Sequence, residues 1–173
     1  MSKTILYIAA SVDGFIAGTS DDLSWLNPYQ DVETGYKEFF ASVGAIIEGR
    51  RTYEIEVKNG WDKLHSLPLF VLSKDVSHEP TRAGVTFTHD DIARVLQKAK
   101  AAAGNKNVWI EGGASVAQQF ISRGLIDEIV LTLIPVLLGD GIRLFDNIHE
   151  RFNLFLTDVK RFDKGMIQLV YKL

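Results

Sequence analysis

The sequence contains no cysteine, which excludes disulfides and thiolate metal sites and removes any clue to redox compartment. It has no apolar run long enough to span a bilayer. It has no basic excess: 19 Lys and Arg stand against 22 Asp and Glu, a net charge of −3. That balance gives no global attraction for nucleic acid or an acidic membrane. Internal repeats, low-complexity tracts and Pro/Ser-rich linkers are missing as well. The opening MSKTILYIAASVDG carries one lysine and a short apolar patch that runs into Asp13, so it reads as a first strand rather than a signal peptide. The four histidines, His65, His78, His89 and His149, show no metal-ligand spacing, and no Ser-His-Asp constellation is visible. These absences leave a cytoplasmic monomer or small oligomer that handles a small molecule, with no metal, membrane or nucleic acid.

What is present fits one domain spanning residues 1–173, with 46% apolar and 24% charged residues. Strand-like and helix-like patches alternate from end to end, as in an α/β domain. Near-continuous apolar runs at 4–10, 45–48, 69–73, 85–88, 108–111 and 129–134 predict strands buried on both faces. Apolar spacings of three and four predict helices over 35–43, 89–104 and 115–124, the last two stopped by Gly104 and Gly124. The tail predicts an antiparallel hairpin turning at Asp163-Lys164-Gly165.

Two corners stand out. In VWIEGGASV the apolar strand ends at Glu111, and Gly112 and Gly113 lead at once into a helix. Helix N-termini leave backbone N–H groups unpaired and carry partial positive charge. Residues without a Cβ let a phosphate approach that backbone, although paired glycines also serve a merely tight connection. This is not the G-x-G-x-x-G fingerprint of a Rossmann site. In AIIEGRRTYE a strand again ends in glycine, followed by Arg50, Arg51 and Thr52 at a helix start. The arginines are placed to pair with phosphate, and Thr52 can cap the helix or donate to an oxygen. A third strand end supplies Ser73 and Lys74. Ligands of open α/β sheets lie beyond the carboxyl ends of the strands, and three such ends suit a dinucleotide bearing a 2′-phosphate.

The order TILYIAASVDGFIAG, AIIEGRRTYE, LFVLSKD, VWIEGGASVAQQFI and IVLTLIPVLLGDG resembles the dihydrofolate reductase superfold. It is most similar to the reductase domain of riboflavin biosynthesis, the C-terminal half of the bifunctional deaminase–reductase. The resemblance implies a three-layer α/β fold, with a mainly parallel central sheet, helices on both faces and a C-terminal antiparallel hairpin. It implies NADPH as hydride donor. Gly49, Arg50, Arg51 and Thr52 would hold the 2′-phosphate and pyrophosphate, and Leu72, Ser73 and Lys74 the adenosine end. Gly112, Gly113, Ala114, Ser115 and Val116 would seat the pyrophosphate, and Ala9 and Ile16 would line the nicotinamide. The chain has no deaminase half, and without cysteine it cannot carry that half's zinc motif.

On the substrate side the resemblance implies Glu33 as the acid of the first helix and Thr132 as its facing hydroxyl. Asp13 in the D-G turn would touch substrate, and Glu111 would lie near cofactor and substrate. As plain residues, Glu33 is an acid near a helix start, Thr132 a β-branched strand residue and Asp13 part of a turn. Trp25 and Tyr36, with Phe15 and Phe40, could wall a flat heterocycle or simply be core. Glu33, Glu111 or a water could supply the proton. The expected activity is hydride transfer to a C=N or C=O carbon of a heterocycle-bearing substrate, in the riboflavin pathway an aminopyrimidine ribosylamine phosphate. The rivals are dihydrofolate or pterin reduction and a non-catalytic nucleotide-binding relative. Pairing into a homodimer is common in the family, and IPVLLGDGIRLF at 134–145 is apolar enough to contribute an interface or to be internal.

Overall fold

In the computed structural model, residues 2–63 and 66–173 are described, with the side chain of Lys63 left aside; His65 lies outside the described residues. In chain order the elements are β1 (Thr4–Ser11), β2 (Phe15–Ala17), α1 (Tyr36–Ala41), β3 (Val43–Gly49), α2 (Arg50–Asn59), β4 (Leu69–Leu72) and β5 (Val85–Thr88). Then come α3 (Ile92–Ala103), β6 (Asn107–Gly112), α4 (Ala114–Ser122), β7 (Glu128–Ile134), β8 (Ile142–Arg143), β9 (Phe155–Arg161) and β10 (Ile167–Lys172). Every predicted strand is found. The first predicted helix is shorter than its apolar spacing implied, because Val43 has already entered β3. The predicted helix at 89–104 starts only at Ile92, where the Asp91 side chain accepts from the Ala93 N–H at 2.9 Å and caps it.

Eight strands form one sheet in the order β5-β4-β3-β6-β1-β7-β10-β9. From β5 to β7 all pairings are parallel, and the C-terminal hairpin adds β10 and β9 antiparallel. The predicted turn at 163–165 is present as a short 3-10 helix. Period-two alternation sorts the apolar strand residues onto two faces. Leu6, Ala45, Ile47, Val108 and Ile110 pack under α3 and α4, against Val95, Ala99 and Phe120. Ile46, Leu69, Val71 and Trp109 pack on the other side with Tyr53 of α2 and Phe39 and Phe40 of α1. Helices therefore cover both faces, as near-continuous apolar strands require. A Cβ on Gly44 would lie 2.5 Å from the Ala103 carbonyl oxygen, so that glycine lets the end of α3 close onto β3.

The parallel strands β1, β3, β4 and β6 bring their carboxyl ends to one edge of the sheet. Strand order reverses there, with β6 on one side of β1 and β7 on the other. That edge is where a cleft opens in doubly wound sheets.

Candidate active site

A cleft of about 620 Å³ lies along this edge. One end is built from the two glycine corners. Gly49 begins α2 and Gly113 begins α4, and neither N-terminus is capped by a side chain. The corners abut: a Cβ on Gly49 would sit 3.2 Å from Val116 Cγ2 and 4.0 Å from the Gly113 nitrogen, and one on Gly113 would sit 3.4 Å from Thr52 Oγ1. Two helices thus bring their positive ends to adjoining corners of one cleft. The Gly112-Gly113 peptide is cis. Gly112 has φ +125°, a backbone region that glycine enters without the strain a Cβ would bring.

Most of the residues expected at the cofactor edge line this cleft. Ala9, Ile16, Gly49, Arg50, Arg51, Thr52, Leu72, Gly113, Ala114, Ser115 and Val116 do so, and Gly112 lies just behind them. Arg50 is half exposed and pairs with Glu54 at 3.6 Å; Arg51 pairs with Asp21 at 2.7 Å. Thr52 lies within α2 and does not cap it. Ser73 and Lys74 stand outside the wall. The Ser73 hydroxyl closes a local turn, donating to the Asp75 carbonyl at 2.5 Å and accepting from its N–H at 3.2 Å.

The expected substrate-side residues divide. Tyr36 and Glu111 line the cleft beside Tyr7 and Trp109. Glu33 does not: it precedes α1, is exposed, and pairs with Lys37 at 3.2 Å. Trp25 is buried against Ile134 and Met166, while Leu23 and Leu26 of the same segment reach the cleft. Thr132 is buried beside Ala9 in the β1–β7 register and accepts from Gln168 Nε2 at 3.1 Å. Asp13 braces a loop. It accepts from the Ser11 hydroxyl at 2.6 Å and from the backbone N–H groups of Leu138 and Gly139 at 3.1 and 2.8 Å. Those bonds, the Ser11 hydroxyl first, hold its carboxyl down at about 2.

The chemistry that spacing could not show lies behind Glu111. Alternation puts Glu48 on the same face as Ile46, and Glu56 of α2 packs over that face. A bulge in β6 sets Gly112 opposite Glu48 and leaves Glu111 as the extra residue, a device that re-aims a side chain. Carboxyl oxygens of Glu48, Glu56 and Glu111 lie within 4.8 Å of one another. Glu48 is fully buried, with neither oxygen partnered. Burial first, and then the Glu56 charge, raises its pKa, while Arg82 opposes the rise. Burial likewise raises Glu56. Glu111 is pushed well up by burial, by Glu56 and Glu48, and by its hydrogen bond to Glu56. Such a cluster ionises only in part, like carboxylates forced to share protons. Three hard oxygen ligands could also surround a divalent cation, a possibility the histidine spacing gave no reason to consider. Tyr36 is pushed up to about 12 by burial, then by Glu111, Glu56 and Tyr7.

Comparison with known proteins agrees with this architecture. The family model of the RibD C-terminal domain matches residues 2–168. The uncharacterized proteins YyaP and YwjB of Bacillus subtilis are 31% and 33% identical, over 98% of this chain and 94% and 97% of theirs. A putative riboflavin biosynthesis protein from Shewanella sp. PV-4 superposes with a TM-score of 0.88, at 27% identity over 98% of both chains. Acinetobacter baumannii RibD, of which this chain covers 58%, shares the fold at a TM-score of 0.72 and 22% identity. With its family model matched over residues 2–168, this chain belongs to the RibD C-terminal domain family.

Proposed function

We propose that the protein is an NADPH-dependent reductase of the riboflavin-biosynthesis type, delivering hydride to a C=N or C=O carbon of a heterocycle-bearing substrate. The observation that carries this reading is the abutment of two uncapped helix N-termini at Gly49 and Gly113, with Arg50 and Arg51 on the same wall. The residues fit the diphosphate and the extra phosphate of such a dinucleotide, since helix-end amide dipoles and guanidinium groups line one wall. Bound there, a reduced nicotinamide supplies the hydride.

The chain's own part is placement and one proton. Ala9 and Ile16 line the cleft with apolar side chains, and Trp109, Tyr7 and Tyr36 line it beside Glu111. Reduction of C=N forms a C–H bond and moves the π pair to nitrogen, which then takes a proton. Glu111, facing the cleft and raised well above an ordinary carboxyl, holds that proton at its carboxyl and acts as general acid. Dihydrofolate reduction, the nearest alternative, is weakened because its expected acid, Glu33, is exposed and paired with Lys37.

Equilibrium binding of NADPH and NADH by calorimetry tests the reading. NADPH is expected to bind at least tenfold more tightly, because one charge-assisted arginine–phosphate contact worth about 1.4 kcal/mol suffices. Equal affinities would remove the roles given to Arg50 and Arg51. NADPH binding without turnover of any heterocycle offered would favour a non-catalytic relative.

The chain is also proposed to form a homodimer, though not mainly through 134–145. Ile134 and Leu144 are buried, leaving Leu137 and Phe145 as the large apolar side chains exposed from that run. The edge strand β9 instead exposes Phe155, Leu156 and Val159. Light scattering after chromatography should give twice the chain mass, and Phe155→Lys should lower it. Among the described residues no helix is long and apolar enough to cross a membrane; the cytoplasm stays the proposed location.

A further inference from the structure

The chain has three tryptophans, and one of them is placed unlike the others. Trp25 and Trp109 are buried, whereas Trp61 is 41% exposed and lines the cleft. That exposure is not slackness in the chain around it. Gly60, at φ +73°, ends α2 and returns its N–H to the Val57 carbonyl at 3.1 Å. Asp62, on the other side, is fully buried. Its carboxylate accepts from the Thr81 hydroxyl at 2.6 Å, and its carbonyl accepts from Arg82 Nε at 2.8 Å. Thr81 is bonded in turn to the Tyr53 hydroxyl of α2 at 2.8 Å. The backbone on both sides of Trp61 is therefore tied down, and its indole is left in the open. A large apolar ring held out of the core by anchored neighbours points to something that covers it.

Its place in the cleft says what that is. Thr52, Ile55 and Glu56, at helical spacings of three and four, turn one face of α2 to the cleft. With ten residues α2 is about 15 Å long. Arg50 and Arg51 stand at its start and Trp61 beyond its end. Tyr36, at the start of α1, is also 43% exposed and lines the same cleft, its ring centroid 6.1 Å from those of Tyr7 and Trp109. Leu23, Leu26 and Ile55 add aliphatic lining, and their side chains offer a sugar no hydrogen bonds. We propose that Trp61 is a stacking platform for the acceptor, and that the acceptor carries a planar system of two or more fused rings that lies on the indole. An indole is itself two fused rings, so a partner of that area covers it, and offset stacking adds to the burial. Calling the ligand the acceptor rests on the reductase reading, which gives Arg50 and Arg51 to the cofactor; the platform itself does not.

The test uses the intact chain and two neutral probes with the same lactam group: carbostyril, which is flat and bicyclic, and its puckered octahydro counterpart. Calorimetry measures affinity, with and without saturating NADP⁺. Proton–nitrogen NMR follows the indole N–H signals, that of Trp61 being the one lost in Trp61→Leu. Carbostyril is expected to bind about tenfold more tightly than the octahydro probe and to move the Trp61 signal most. Trp61→Leu should weaken carbostyril about tenfold and Trp61→Phe, which keeps a flat ring, only about threefold. Neither should change the octahydro probe. Because the indole is exposed, both variants should melt close to the parent chain. Saturating NADP⁺ should leave carbostyril bound.

Equal affinities for the flat and puckered probes would overturn the proposal. So would carbostyril affinity unchanged in Trp61→Leu, or no binding of carbostyril to the parent chain. Displacement of carbostyril by NADP⁺, with a matching loss of NADP⁺ affinity in Trp61→Leu, would give the indole to the cofactor and overturn it as well. If NADP⁺ does not bind at all, the reductase reading fails alone, and the carbostyril arm still decides whether Trp61 is a platform.

Discussion

Replacing Glu48 by glutamine should make the fold less sensitive to alkali, and the size of the effect follows from where that carboxyl sits. It is fully enclosed, unpartnered, and close to two further acids. In the unfolded chain it titrates near its ordinary value of 4.5, whereas burial and Glu56 raise it in the folded chain. Above that ordinary value the unfolded state has released a proton that the folded state still holds. Stability therefore falls as pH rises, until the folded group also ionises. Each retained proton sets a slope of about 1.4 kcal/mol per pH unit. One proton on Glu48 accordingly removes about 3 kcal/mol between about pH 5.5 and about pH 7.5. Aspartates with lowered values, such as Asp13, Asp22 and Asp90, are ionised in both states across that window and do not contribute slope.

Urea unfolding at three pH values measures this directly. The parent chain should lose stability between the two ends of the window. Glu48→Gln should lose about 3 kcal/mol less. Parallel pH profiles for the two proteins, or a parent chain whose stability is flat across the window, would show that the cluster is not holding protons.

Arg50→Ala and Arg51→Ala should each weaken NADPH binding about tenfold while leaving NADH binding within a factor of two or so, as calorimetry would show. Asp13→Asn should lower the melting temperature and remove an acid-sensitive contribution. The lowered pKa makes that contribution full above the ordinary value of 3.8 and lost as pH falls through about 2. Gly44→Ala should cost about 1–3 kcal/mol in urea unfolding, because the new methyl would meet the carbonyl oxygen and Cα of Ala103 at 2.5 and 2.8 Å. Phe120→Ala should cost about 3–5 kcal/mol, since that ring is fully buried under the sheet.

The layered fold was legible because its signals are local. Apolar runs such as TILYIAA mark strands buried on both faces, and the stripe of Ile92, Val95, Leu96 and Ala99 marks one helix side. The glycine corners were legible for the same reason, since a strand end, a missing Cβ and a helix start are all neighbours in sequence. What stayed hidden depends on contacts between distant segments. Glu48 and Glu56 look like any strand and helix acid until the β6 bulge turns Glu111 toward them. Asp13 becomes a brace only when residues 138 and 139 fold back onto it. Glu33 resembles the acid of the first helix by its place in the sequence, yet it stands ahead of α1, exposed, with Lys37 as its partner. Ser73 sits at the expected strand end, yet its hydroxyl is consumed by Asp75.

The meeting of Gly49 and Gly113 also has a mechanical side. Helices α2 and α4 lie on opposite faces of the sheet, yet their first turns come together at its rim. A molecule bridging those two turns would act as a clasp between the upper and lower layers. Amide exchange should then slow in both helices at once when it binds.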